Sequence, residues 1–237
     1  MLRLASMIAL LIPAWAAAEA PKPIAVTLQW SIALDAAGVI ASIEPIDSKL
    51  HPQLTERIEP SIKSWHFTPG KIDGKPEPTQ TTLTVHVDLE PLADGNYGVH
   101  LRKAGTGPRY EHLSAPEYPE AAKAIRRSAA VLLDVVYDAD GHIVEAKPIE
   151  GGEPKSRGDF DRAAVAAVKH WTFTPESIAG HGVPGKARVP ICFAATPSQR
   201  GQCRWNSPDT HASLDADQPL ALGSVVHLET DIAGRMP

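Results

Sequence analysis

The sequence predicts an α+β fold made of two tandem small units, each an antiparallel three-stranded sheet with a helix packed on one face, followed by a C-terminal extension. Three observations predict it. The segment 65–69 (Trp-His-Phe-Thr-Pro) recurs at 171–175 (Trp-Thr-Phe-Thr-Pro). The turn sequence at 35–38 (Asp-Ala-Ala-Gly) recurs at 138–141 (Asp-Ala-Asp-Gly). Short apolar runs surround both copies, which is typical of strands. We interpret the agreement at both ends of the unit as an internal duplication.

Composition excludes several classes of protein. The chain has 237 residues, which is room for two small domains or one large domain. Its net charge of −5 and its aromatic content of 5% argue against binding of a nucleic-acid backbone or stacking of bases. The hydrophobic content of 43% is sufficient for a folded core.

The first residues resemble a secretory signal peptide. Arg3 supplies a positive start, residues 4–14 are largely apolar, and small alanines occupy 16–18. We therefore expect residues 1–18 to be removed and the mature protein to enter the periplasm. An uncleaved membrane anchor is the alternative, although the apolar run is shorter than a membrane span.

The first unit is expected at 19–92. Strand patterns occupy 25–34, 39–46 and 82–89, and Leu54, Ile58 and Ile62 recur at helical spacing between the second and third of them. Pro60 falls inside this helix and is expected to kink it or restart it.

A linker is expected at 93–109, because glycines and a proline cluster there. Within it, Tyr97, Val99 and Leu101 alternate with other residues and could add an edge strand.

The second unit is expected at 110–197. A short helix over 118–126 begins with Pro119 near its first position. Strand patterns follow at 130–138, 142–149 and 187–193, and a helix that Asp159 can cap precedes the last of them.

The two units should share their core anchors. A sheet with one helix across it buries one face and leaves the other in water. We expect the residues of the repeated motif to be structural: Trp65, Phe67, Pro69, Trp171, Phe173 and Pro175.

The extension at 198–237 is polar until Leu220, after which apolar residues up to Leu228 suggest one further strand. The two cysteines, Cys192 and Cys203, are predicted to form a structural disulfide, since the chain should meet an oxidising compartment. Such a bridge contributes roughly 3 kcal/mol in the loop-entropy description. Metal binding is the poorer alternative, because no second pair of ligands completes a tetrahedral set.

The pattern of the second unit resembles the C-terminal domain of TonB energy transducers. The likeness covers Tyr118-Pro119, the short helix, the hairpin with its turn at 138–141, the helix that ends in Trp-x-Phe-x-Pro and the closing strand; a degenerate copy covers 25–89. The resemblance implies a periplasmic domain that transmits inner-membrane energy to outer-membrane receptors and binds a short receptor segment, the TonB box, as an added strand. It also implies these partner-binding positions: Tyr118, Pro119, Arg188, Val189, Pro190, Ile191 and Phe193.

No catalytic, cofactor or metal motif was found among the candidates. Ten histidines occur without the spacing of a metal site, and no phosphate loop or nucleophile elbow is present. We therefore predict a protein that is not an enzyme, takes no cofactor or metal, and binds a protein or peptide in the envelope, contacting the membrane only through partners or an uncleaved signal. The alternatives are a self-associating structural envelope protein, such as a homodimer, without an energy-transducing role, and a hydrolase with a site between the units.

Overall fold

The computed structural model describes residues 22–46, 52–156, 158–209, 213–214 and 218–237, so the predicted signal peptide lies outside the described residues. The fold mixes α and β structure, with mostly strands and few helices. In chain order the elements are β1 (Ile24–Leu34), β2 (Ile40–Ile46), α1 (Pro52–Ile62), β3 (Phe67–Thr68), β4 (Lys71–Ile72), β5 (Lys75–Pro76), β6 (Thr79–Pro91), β7 (Tyr97–Gly107), β8 (Arg109–His112), α2 (Glu120–Ala124), β9 (Ala129–Tyr137), β10 (Ile143–Ile149), β11 (Gly152–Glu153), α3 (Gly158–Val168), β12 (Thr172–Thr174), β13 (Ser177–Ile178), β14 (His181–Gly182), β15 (Gly185–Phe193), α4 (Pro197–Arg200), β16 (Arg204–Trp205), β17 (Leu220–Ala221) and β18 (His227–Leu228).

The first sheet is built around β1, which pairs antiparallel with β2 on one side and with β6 on the other. Strands β7 and β13 pair with β6, and β14 pairs with β13. Helix α1 packs on one face through the fully buried Ile58 and Ile62. The opposing sheet residues alternate along their strands, as half-buried strands require, and include Trp30, Ile32, Leu83, Val85 and Val87.

The second sheet is built around β9 and has the strand order β10-β9-β15-β17. One face of β9 presents Val131, Leu133 and Val135 to the core. Helix α3 covers this face because its buried residues, among them Phe160 and Ala164, recur at helical spacing.

Both sheets are larger than the three strands predicted for each unit. Among the described residues, six strands form the first sheet and four form the second. An unpaired edge presents free N–H and C=O groups, and here other segments of the chain pair with them. Strand β7 lies in the predicted linker, where the sequence also suggested an edge strand. The domain boundaries themselves stay a prediction.

The second sheet is covered on both faces, so the expectation of one wet face was wrong for it. On the side opposite α3, Ala130 and Leu132 of β9 pack against Cys203, Trp205 and Leu214 of the C-terminal extension. The Trp205 indole also donates a hydrogen bond to the carbonyl oxygen of Val131, 2.9 Å away. The run of apolar residues through 129–133 explains this, since a strand buried on both faces needs no alternation.

The two predicted hairpin turns have matching geometry. Asp35 Oδ1 accepts the N–H groups of Ala37 and Val39, each at 2.9 Å, and Asp138 plays the same part in the second hairpin. Gly38 and Gly141 have φ angles of 81° and 84°. An added Cβ would lie 1.8 Å from the Phe67 carbonyl oxygen at Gly38 and 1.9 Å from that of Phe173 at Gly141. Glycine is therefore required at both turns.

Within 220–228 the C-terminal extension forms two short strands, β17 and β18, rather than the one further strand expected there. Strand β17 pairs with β15 of the second sheet, and β18 pairs with β3 in the first half of the chain. The extended run is interrupted at Gly223, whose φ is 118°. The tail therefore joins both halves of the molecule.

The pairing of β18 with β3 is similar to the pairing of β8 with β12. Leu228 lies opposite Phe67, as Tyr110 lies opposite Phe173. The side-chain contacts match as well, because Thr68 donates to Glu229 at 2.6 Å and Thr174 donates to Glu111 at 2.8 Å. The C-terminal residues thus complete the first half from the far end of the chain.

The helices are short. Helix α1 runs through Pro60 without restarting, since the proline lies in the last turn, where its missing N–H removes a single helical bond. Across the described ranges, no helix combines the length and apolar character that crossing a membrane would demand.

We expect Gly141→Ala to lower the free energy of unfolding by at least about 3 kcal/mol, because the new Cβ collides with the Phe173 carbonyl oxygen and the φ angle is strained. Gly180→Ala is the matched control, since Gly180 has a similar φ of 80° but open space around it, and should cost about 1–2 kcal/mol. Urea unfolding measures both values. Equal losses in the two variants would contradict the steric account of the turn.

Candidate partner-binding edge

The outer edge of β15 is defined by the direction of its main-chain groups. The carbonyl oxygen of Lys186 accepts the N–H of Leu222 at 2.9 Å, so Lys186 faces away from β9. Main-chain groups of successive strand residues point to opposite edges. Arg188, Pro190 and Cys192 therefore also face outward, and we name these four residues the outer row.

Only part of the outer row is paired within the described chain. Strand β17 lies opposite Ala187 and Arg188, and the bond from Leu222 adds Lys186. No described strand pairs with the main chain of Pro190 or Cys192 on this side. Pro190 has no N–H. The groups of this stretch that could pair with a further strand are therefore the Pro190 carbonyl oxygen and the N–H and carbonyl groups of Cys192. The proline sits where the ladder to β9 needs no donor.

The side chains at the predicted partner-binding positions on β15 are buried. Val189, Ile191 and Phe193 belong to the core beneath α3 and are at most 6% exposed. Arg188 and Pro190 are buried on the opposite face. A partner that lies along this edge would therefore meet main-chain groups before side chains.

Arg188 is the centre of a polar cluster that fixes the extension to the sheet. Its guanidinium donates to both carboxylate oxygens of Asp134, at 2.7 and 3.0 Å, and to Ser207 and Asp209, at 2.7 and 2.9 Å. The hydrogen bonds to Asp134 raise the pKa of Arg188 above its ordinary value, although burial acts in the opposite direction. The planar guanidinium of Arg188 donates to three side chains at once, which holds it in one position. Arg188 is therefore suited to a structural role.

Tyr118 and Pro119 lie at the end of β15, on the side of α3. The ring of Tyr118 makes edge-on contacts with Phe160 and Phe193, with centroids 5.7 and 5.9 Å apart. Its hydroxyl donates to the carbonyl oxygen of Arg127, and burial raises the pKa of this hydroxyl while the charge of Arg127 opposes the shift. Pro119 directly precedes α2. The structure thus brings the side chains of Tyr118 and Phe193 together. Both side chains lie on the face of the sheet that α3 covers, and neither residue belongs to the outer row.

The repeated tryptophan and phenylalanine residues lie in the two cores. Trp65 and Phe67 are buried beneath α1, and Trp171 and Phe173 are buried beneath α3. The Trp171 indole donates to the carbonyl oxygen of Ser114 at 2.8 Å. The first proline of the pair, Pro69, is buried, and Pro175 is partly exposed.

Glu176 is a buried carboxylate that sequence reasoning missed. It is 3% exposed and accepts three hydrogen bonds, from the Thr81 hydroxyl at 2.6 Å, the Ser224 hydroxyl at 2.8 Å and the Val225 N–H at 2.9 Å. Burial and the charge of Glu176 raise the pKa of Tyr137 well above its ordinary range. The only sequence signal was a charged residue directly after the repeated motif.

The predicted disulfide is confirmed. Cys192 and Cys203 are bonded, with their Cα atoms 5.9 Å apart. The bridge ties the last outer-row residue to the start of the segment that covers the second sheet.

In the part of the chain that the structure describes, Asp138, Asp140 and His142 are the residues whose ligand atoms come close enough to hold a metal. They form the exposed hairpin turn, and Asp138 Oδ1 already accepts the N–H groups of Asp140 and His142. The hydrogen bonds that form the turn therefore explain why these three side chains lie close together.

We expect Arg188→Ala to lower the free energy of unfolding by about 2–3 kcal/mol, because the cluster loses its cation while the partly exposed Asp134 and the buried Ser207 lose their donor. Asp209→Ala is the control. Asp209 is 68% exposed in its ion pair, and its loss should cost less than about 1 kcal/mol. Urea unfolding of the oxidised protein compares them, and similar losses would refute the structural role of Arg188.

Comparison with known proteins finds a family match and related curated proteins. Residues 114–195 match the family described as Gram-negative bacterial TonB protein C-terminal. The "Protein TonB" of Xanthomonas campestris pv. campestris (strain B100) is 34% identical over 85 residues, which are 35% of this chain and 36% of that protein. The "Protein tonB2" of Pseudomonas aeruginosa is 38% identical over 84 residues, which are 35% of this chain and 30% of that protein. This chain thus spans about a third of the length of the curated relatives it matches.

Among solved structures, the solution NMR structure of the Pseudomonas aeruginosa TonB CTD is 26% identical, with a TM-score of 0.31, and the match covers 36% of this chain and 84% of that one. The family match spans the segment that carries β9, α3 and β15. Residues 114–195 are therefore similar to the C-terminal domain of TonB proteins.

Proposed function

We propose that this chain is a protein-binding module of the TonB type that acts in TonB-dependent transport and binds an extended segment of an outer-membrane receptor along the outer row of β15. The observation that carries the proposal is the unpaired main chain at Pro190 and Cys192, at the margin of a strand whose side chains are buried. Strand addition needs such a rigid edge with free main-chain groups. The similarity of residues 114–195 to TonB proteins supports the choice of partner.

The pairing of β7 with β6 in the first half of the chain supports this binding mode. Strand β6 returns after α1 as β15 returns after α3, and β7 pairs antiparallel with β6 from Thr82↔Gly107 to Pro91↔Tyr97. The outer side of such a closing strand therefore accommodates a full additional strand. On β15 the same side is occupied only at its beginning.

Two other sheet edges, those of β2 and β10, give less support to strand addition or to self-association. Strands β2 and β10 are edge strands with largely exposed side chains, and each carries a proline, Pro45 or Pro148, near its end. Their ladders also contain irregularities in register. Prolines, charges and irregular register are the features by which natural edges avoid pairing.

The tandem organisation is part of the proposal. We assign 19–92 to a degenerate TonB-like unit, 93–109 to a linker, 110–197 to the TonB C-terminal-like domain and 198–237 to the extension. The matching turns at Gly38 and Gly141 and the matching registers of β18 and β8 support a duplication. In this arrangement the first unit serves as a closed copy, and the second unit binds.

The remaining parts of the proposal concern location and role. The disulfide between Cys192 and Cys203 supports a periplasmic location, because such bonds persist in oxidising compartments. We assign no catalytic role to the chain, since its relatives by name are TonB proteins.

Site-specific photo-cross-linking tests the binding edge. We expect a benzophenone amino acid at Lys186, an exposed residue of the outer row, to cross-link synthetic peptides that carry TonB boxes of outer-membrane receptors. The same group at Lys147, an exposed residue on the opposite edge strand β10, is the matched control and should give less than about a tenth of that yield. Labelling at Lys147 alone, or equal labelling at the two positions, would rule out the proposed edge.

A further inference from the structure

The face of the first sheet that is turned away from α1 carries polar side chains where β6 pairs with β7. Thr84 and His86 of β6 lie opposite Gly105 and Lys103 of β7 in the register of the two strands. Val85, between them, is buried in the core beneath α1. Since side chains alternate along a strand, Thr84 and His86 point away from that core. His86 is nevertheless only 6% exposed, so another part of the chain covers this face.

The C-terminal extension covers this face and leaves a cavity of about 170 Å³ between itself and the sheet. Leu214 and residues 218–221 form the wall on the side of the extension. Leu214 also belongs to the apolar cluster that contains Ala130 and Trp205, on the face of the second sheet opposite α3. The cavity therefore lies where the first sheet, the extension and the covering of the second sheet meet. Such junctions are common places for ligand sites.

Gly105 keeps the cavity open, and nothing in the fold of the described residues requires a glycine there. Its φ angle lies outside the left-handed region. A Cβ added to Gly105 would have no described atom within 4 Å. A glycine inside a strand weakens the strand and often marks a place where a ligand approaches the main chain. The open space above Gly105 is therefore best explained by a molecule that occupies the cavity.

The lining of the cavity suits a small apolar molecule with an anionic group. It is mostly apolar, with contributions from Leu214, Pro219 and Leu220, and within the described part of the chain no Asp or Glu borders it. Lys103 is exposed and places a positive charge at the solvent side of the cavity. The Gln218 amide nitrogen is buried and has no hydrogen-bond acceptor among the described residues. A buried N–H group without an acceptor is unfavourable, so an oxygen atom of a ligand is stabilised beside it.

The volume limits the apolar part of such a ligand to about one ring, since an apolar cavity of about 150 Å³ is large enough to bind benzene. We propose that the cavity is a binding site for a small monocarboxylate whose apolar body is the size of one ring, with its carboxylate at Gln218 and Lys103. The inference goes beyond the proposed function, because the site takes a small molecule and includes no residue of the outer row.

Chemical-shift titration of the full-length oxidised chain with benzoate tests the site. We expect saturable shifts of the Gly105 amide and of the Gln218 side-chain amide, with a dissociation constant of about 1 mM or lower. Benzamide has the same ring without the charge and is the matched control probe. It should bind at least about fivefold more weakly, because hydrogen bonds to a charged acceptor are stronger. Equal binding of the two probes, or no saturable shift with benzoate, would refute the proposal.

A second test fills the cavity from the main chain of β7. Gly105→Leu places a side chain in the open space above the sheet and should weaken benzoate binding at least about tenfold. Gly105→Ala adds only the Cβ and should weaken it less than about threefold. Urea unfolding measures whether both variants keep the stability of the unchanged chain. Undiminished binding by a folded Gly105→Leu chain would place benzoate elsewhere and overturn the assignment.

Substitution of the two polar groups tests their roles, whether or not Gly105→Leu folds. Gln218→Leu removes the amide donor, and Lys103→Gln removes the charge. Each should weaken benzoate binding at least about threefold. Lys75→Gln is the matched control, since Lys75 is an exposed lysine of β5 that does not line the cavity, and it should leave the affinity unchanged. The same affinity for benzoate in all three variants would overturn the proposed site.

Discussion

The carboxylate of Glu176 is the contact on which the arrangement of the molecule depends. It joins Thr81 of the first sheet to Ser224 and Val225 of the C-terminal extension, while Glu176 itself follows the repeated motif of the second half. A buried carboxylate is tolerated only where donors replace water, and three donors do so here. The first sheet, the segment after the second copy of the repeated motif and the tail are therefore held at one point. Because Ser224 and Val225 lie just after β17, the same contact helps to place β17 on the outer row.

In the proposed tandem organisation, the two halves of the chain differ in how far the chain itself closes the outer edge of each sheet. In the first, β7 covers most of β6, and β18 supplies the strand beside β3. In the second, β8 supplies the strand beside β12, and β17 covers only the start of β15. A closed sheet is stable without a partner, whereas a partly closed one retains free main-chain groups. The difference between the halves is thus a difference in how much of the outer edge the chain itself occupies.

Local signals predicted the parts of the fold that depend on neighbouring residues. The turns at Gly38 and Gly141 could be predicted because a positive φ and an Asx turn need specific residues within four positions. The main strands could be predicted from apolar alternation. The small ladders could not, because β17 and β18 have two residues each and their partners lie far away in the sequence.

The closing strand could be predicted from the sequence, but the surroundings of its side chains could not. The closing strand was identified, and the alternation of Val189 and Ile191 with Arg188 and Pro190 indicated a half-buried strand. The alternation could not reveal that the extension covers the polar face and that Asp134 lies opposite Arg188 in register. Arg188 is therefore buried and belongs to the fold, and the edge offers main-chain groups to a partner.

Amide hydrogen exchange with a receptor TonB-box peptide at saturation tests most directly whether the partner pairs with the outer row. The account predicts that the N–H of Cys192, which no described strand covers, becomes at least about tenfold more protected, while the N–H groups of Val189 and Ile191, which face β9, do not change. A bound peptide that leaves the Cys192 amide as exposed as before would contradict the account.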